Sequence, residues 1–82
     1  MDPMYWTKSV ELELNGPGRL QKVRSTLEAS ECLKLWPNKQ GIAYGEAKRV
    51  FRAVLRSGAP RQIARAAFIR AAEEAGIYVK KR

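Results

Sequence analysis

The chain has 82 residues, a formal net charge of +8, no histidine and one cysteine, Cys32. That length allows one core and a thin stability margin, and 45% apolar residues with two tryptophans predict an ordered globular domain. A lone cysteine excludes an internal disulfide and a Cys/His zinc site, and the missing histidine removes the commonest general base and metal ligand. No run reaches the ~20 apolar residues of a membrane span, and Met1–Trp6 lacks the basic and apolar segments of a secretion signal. The expectation is a cytoplasmic, non-enzymatic protein with no cofactor and no metal.

The charge is unevenly spread. Residues 1–37 carry five basic and five acidic side chains, and residues 38–82 carry eleven basic and three acidic ones, so the net charge belongs to the second part. Such asymmetry suits a polyanionic partner and also serves solubility.

In chain order, residues 1–5 are expected to be flexible. Val10, Leu12 and Leu14 alternate with Glu11 and Glu13, the period of a half-buried strand. Asn15-Gly16-Pro17-Gly18 is concentrated turn chemistry, and Arg19–Arg24 reads as the returning strand of a hairpin. Leu20 and Val23 would point to opposite faces of that strand unless a bulge separates them. Glu11 and Glu13 are placed to face Lys22 or Arg24 across the pair. Gly16 and Gly18 form a G-x-G in a hairpin turn, which is not the strand-to-helix setting of a phosphate loop.

Ser25-Thr26-Leu27-Glu28 is a capping box. Ala29, Cys32, Leu33 and Trp36 then define one apolar helix face, and Pro37 ends it. On that face Cys32 reads as a core residue, since a reactive thiolate needs an exposed electropositive site. After a loop over 38–43, a second helix is expected from about Tyr44 to Ser57. Ala47, Val50, Phe51, Val54 and Leu55 form its apolar face, with Lys48, Arg49, Arg52 and Arg56 opposite. Gly58 and Pro60 separate it from a third helix over about 61–75, whose stripe is Ile63, Ala64, Ala67, Phe68, Ala71 and Ala75. Glu73 and Glu74 lie within helical reach of Arg70. Ile77-Tyr78-Val79 reads as a last strand and 80–82 as a tail. The expectation is a single α+β domain of order β-β-α-α-α-β, a three-stranded antiparallel sheet packed against three helices.

Two surfaces are candidates for contact. Lys48, Arg49, Arg52 and Arg56 repel one another, Arg61 and Arg65 add two cations on the next helix, and nucleic acid or an acidic protein would relieve the repulsion. The plain alternative is a solvated face of good helix formers. A helix-turn-helix with Arg61, Gln62 and Arg65 reading bases is a narrower version, set against the alanine-rich packing face of the third helix. The other surface is apolar. Leu27, Leu35 and Ile69 lie off the helix stripes and are candidates for a protein contact, in a monomer or weak homodimer; isolated exposed apolar residues are also ordinary.

Ala29, Cys32-Leu33, Trp36-Pro37, Gly41, Tyr44 and Ala47, then Ala64-Arg65, Ala67-Phe68-Ile69, Ala71-Ala72 and Ala75-Gly76-Ile77, make the chain similar to a family of short bacterial proteins known as domain of unknown function 982. The resemblance runs from Trp6 to Val79. It implies a single small bacterial domain and carries no activity, since its motif residues are small or apolar packing types.

Overall fold

The computed structural model describes residues 5–14, 17–37 and 39–80. The elements are β1 (Tyr5–Leu12), β2 (Gln21–Ser25), α1 (Thr26–Leu33), α2 (Ile42–Ser57), α3 (Arg61–Glu74) and β3 (Val79–Lys80). The three strands form one antiparallel sheet in the order β2-β1-β3, which with the three helices is the expected α+β arrangement.

The sheet departs from the sequence reading in β1. Tyr5 sits opposite Ser25 while Val10 sits opposite Val23, so five steps along β1 match two along β2. The irregularity therefore lies in β1 rather than in the returning strand, and Leu20 falls outside β2, exposed. Surplus residues let the strand turn Trp6 inward while Thr7, Lys8 and Ser9 stay in water. Trp6 Nε1 donates to Thr26 Oγ1 at 3.0 Å, which satisfies a buried polar pair. Tyr5 is part of the sheet, and Lys80 is paired opposite Glu11, so neither belongs to a loose terminus. Asn15, Gly16, Asn38, Lys81, Arg82 and residues 1–4 lie outside the described residues, and with them parts of the expected turn, loop, flexible start and tail.

Capping chemistry sets the start of α1. Ser25 Oγ accepts from the Glu28 N–H at 3.2 Å, and Glu28 Oε1 accepts from the Arg24 N–H at 2.8 Å, one residue before the expected capping-box position. The helix ends at Leu33, earlier than the apolar spacing implied. Tighter turns, with Leu35 N–H donating to Cys32 O and Trp36 N–H to Leu33 O, then carry Trp36 into the core.

Phe68 on α3 is the centre of packing. Its ring lies 5.6 Å from Trp36, 5.9 Å from Trp6 and 6.2 Å from Phe51, all tilted. Ala64, Ala67, Ala71 and Ala72 are buried around it, and small side chains there bring α3 close to its neighbours. Two residues of the expected helix faces are instead exposed, Leu55 on α2 and Ile63 on α3. The α3 helix closes with Gly76 at φ 73°, Ile77 N–H donating to Ala72 O and Gly76 N–H to Glu73 O, the bonding of a Schellman motif. Glu74 does not serve Arg70 as expected. Its carboxylate accepts from the N–H groups of Ala43 and Tyr44 at 3.0 and 3.2 Å and so caps α2, whose first turn contains no acid of its own.

Candidate anion-binding groove

The amphipathic pattern of α2 buries Ala47, Phe51 and Val54 and leaves Lys48, Arg49, Arg52 and Arg56 exposed. Packing α2 beside α1 turns part of that polar face into one wall of an open groove of about 420 Å³. Its floor is apolar, built from Leu33, Tyr44, Phe51 and Leu55. Lys48, Arg52 and Arg56 rise on the α2 side, and Lys34 and Lys39 complete the lining. Among the described residues, no carboxylate lines it.

Two of these cations have local partners. Lys34 Nζ lies 3.3 Å from Glu31 Oε2, in a solvated pair that is worth about 0–1 kcal/mol. Lys48 Nζ sits 5.6 Å from the centre of the Tyr44 ring, a cation–π contact. Among the described residues, Lys39, Arg52 and Arg56 make no ion pair. The groove therefore presents concentrated positive potential over an apolar base. Arg56 also stands in the last turn of α2, where the helix dipole favours a cation whether or not anything is bound.

Three of the six basic residues expected to act together are elsewhere. Arg49 is exposed on α2 outside the groove lining. Arg61 Nη1 donates to Tyr5 O and Arg65 Nε to Lys8 O, both at 2.9 Å, so these guanidiniums bind carbonyls of the irregular stretch of β1. Side chains held in that way do not project from a recognition helix as the helix-turn-helix version requires. Lys34 and Lys39 were missed from the sequence. Lys34 is the C-cap residue of α1 and Lys39 lies in the loop that follows, and only the packing of α1 against α2 brings them to the groove.

A second cluster lies on the sheet side, where Lys8, Lys22, Arg65 and Lys80 surround a depression of about 590 Å³. Glu11 belongs to it as well, 3.9 Å from Lys80, which lowers its net charge. Along the outer edge of β2, a third depression contains Lys22, Arg24 and Lys34 with Glu28 and Glu31, and is close to neutral. Arg24 and Glu28 pair there at 3.2 Å. The Arg24 N–H and guanidinium hold the Glu28 carboxyl below its ordinary value, against an opposing effect of burial.

The apolar candidates do not form one patch. Leu27 and Leu35 are 59% and 65% exposed, and Leu35 borders the depression beside β2. Ile69 is half-buried, packs against the core and borders the sheet-side depression. Cys32 is buried, with its thiol pushed up by desolvation and then by the negative charges of Glu28 and Glu31. Among the described residues, no group of three or more acidic, cysteine or histidine side chains is placed to hold a metal, and no helix is long and apolar enough to cross a membrane.

The family model described as "Protein of unknown function (DUF982)" matches residues 8–79. The chain belongs to the DUF982 family. Comparison with curated proteins and with solved structures gave no significant match. The DUF982 match runs from Lys8 in β1 to Val79, the first residue of β3, and so covers both walls of the groove. It brings no activity and no ligand with it.

Proposed function

We propose that this protein is a non-enzymatic binding module that takes a polyanion, with nucleic acid as the leading class, in the groove between α1 and α2. One observation carries the reading: among the described residues, five cations and no carboxylate line a single groove. A polyanion there replaces mutual repulsion with attraction and releases its condensed counterions, which is the main driving force of sequence-independent nucleic acid binding. The catalytic side of the reading rests on side-chain chemistry. Among the described residues the groove offers cations, one hydroxyl from Ser30 and one buried tyrosine, with no carboxylate, histidine or thiol to move a proton or attack a bond. A chain with one cysteine, and so no internal disulfide, suits a reducing compartment such as the cytoplasm.

Gel-shift or anisotropy titrations at two salt concentrations test the reading. Affinity is expected to fall steeply with salt, and the double substitution Arg52→Glu with Arg56→Glu is expected to weaken binding at least tenfold at low salt. Affinity that ignores both salt and the charge reversal would remove the proposal.

A protein contact is the second reading, favoured by the exposure of Leu35 beside the free edge of β2. Light scattering of a concentration-independent monomer, with partners retained in pull-downs by Leu35→Asp and Ile69→Asp variants, would dispose of it.

A further inference from the structure

We propose that the occupant of the α1–α2 groove is a single nucleic-acid strand rather than a duplex, an inference that rests on the polyanion reading above. Lys48, Arg52 and Arg56 stand at i, i+4 and i+8 of α2, so they form a row with about 6 Å of axial rise between neighbours. Such a regular row suits the repeating phosphates of a nucleic-acid backbone, in a single strand and in a duplex alike. Lys34, the C-cap residue of α1, and Lys39, in the loop after it, line the same groove. A strand lying in the groove meets cations from both segments at once. A duplex is a stiff convex cylinder, and the whole chain measures only 34 × 25 × 20 Å between Cα extremes. A recess of about 420 Å³ suits one flexible strand better than that cylinder.

The floor supports the same occupant. Leu55, 46% exposed above the buried Leu33 and Phe51, offers apolar surface on which sugars and base faces lose water, a contribution that a paired duplex, with its bases stacked inside, does not make. Tyr44 is mostly buried and its ring already faces Lys48, so no open aromatic platform selects a base. Recognition is therefore through the backbone and weakly dependent on sequence.

The test uses fluorescence anisotropy with the full chain and three probes: an oligothymidine, a random duplex of equal length and inorganic polyphosphate. The single strand is expected to bind at least tenfold tighter than the duplex at equal salt. Its affinity should fall with salt at about −0.7 per phosphate contacted, and Lys39→Glu should flatten that slope. Lys39→Glu and Arg52→Glu should each weaken single-strand binding severalfold and more than Arg49→Glu, a charge-matched change outside the groove, with circular dichroism confirming that all three variants fold. Duplex binding as tight as single-strand binding overturns the inference and leaves the polyanion reading standing. Polyphosphate matching the oligonucleotide phosphate for phosphate overturns the nucleic acid assignment alone, because sugars and bases then contribute nothing. Absence of binding to all three probes overturns both.

Discussion

Glu74, near the end of α3, fills the space that a side chain at Gly41 would need. Gly41 is the N-cap residue of α2, and the absence of a Cβ there lets the carboxylate reach the amides of Ala43 and Tyr44. One helix thus supplies the cap of another, and the same contact fixes the start of α2, the helix that carries three cations of the groove.

Gly41→Ala is therefore expected to destabilise the fold, by about 1 kcal/mol, the usual value of an N-terminal cap. In a domain of this size that lowers Tm by roughly 4–8 °C. The backbone at Gly41, with φ −71°, is open to alanine, so the penalty comes from the Glu74 contact together with alanine's poorer standing as an N-cap residue. In a Glu74→Ala background the same substitution should cost clearly less than in the wild type, because only the N-cap preference remains. Thermal melts of the two single variants and the double variant check this, and simple additivity would refute the coupling.

Arg65 and Arg52 make a second contrast. Arg65→Gln should lower stability by about 1 kcal/mol, since it removes a charged donor from the Lys8 carbonyl. Arg52→Gln should leave Tm within the scatter of surface substitutions, because Arg52 makes no ion pair or hydrogen bond among the described residues. Polyanion affinity should respond in the reverse order, more to Arg52→Gln than to Arg65→Gln. Equal effects of both variants on both measurements would contradict the separation of roles.

Element order and most core positions were legible because they depend on local periodicity. Ala29, Cys32 and Leu33 on α1 and Ala47, Phe51 and Val54 on α2 are buried at the spacing the sequence implied. What could not be read depends on contacts between distant segments. The irregular part of β1 has no alternating pattern, and its Trp6 finds its partner, Thr26, at the start of α1. The roles of Arg61, Arg65 and Glu74 follow from which backbone groups happen to lie opposite them. For the same reason half of the groove was visible in the sequence. Lys48, Arg52 and Arg56 share a helix face, whereas Lys34 and Lys39 join them only through packing.

The Glu28 contact predicts a pH dependence. Its carboxyl titrates lower in the folded chain than in the unfolded one, so the contact stabilises the fold fully at pH values above the usual carboxylate range. That contribution fades as pH falls through the lowered folded value. Glu28→Gln keeps an acceptor for the Arg24 N–H and removes the charge. Wild type should melt slightly higher than Glu28→Gln at neutral pH, by less than about 1 kcal/mol because the pair is solvated, and the difference should close on acidification. A difference that stays constant down to pH 3 would mean that the charge contributes nothing.

Cys32 supplies the last prediction. Its side chain is buried on the core face of α1, and the Gln21 amide nitrogen lies 3.5 Å from the sulfur as a weak donor. Burial disfavours the thiolate, and two carboxylates nearby add to that effect. Thiolate is the attacking form, so a disulfide reagent at pH 8 should modify the native chain at least tenfold more slowly than the chain unfolded in guanidinium. Cys32→Ala should cost about 1 kcal/mol or more through the cavity left behind, and Cys32→Ser more than that, because a hydroxyl there meets a largely apolar site. Native modification as fast as in the unfolded chain would place the thiol in water and undo the assignment of Cys32 to the core.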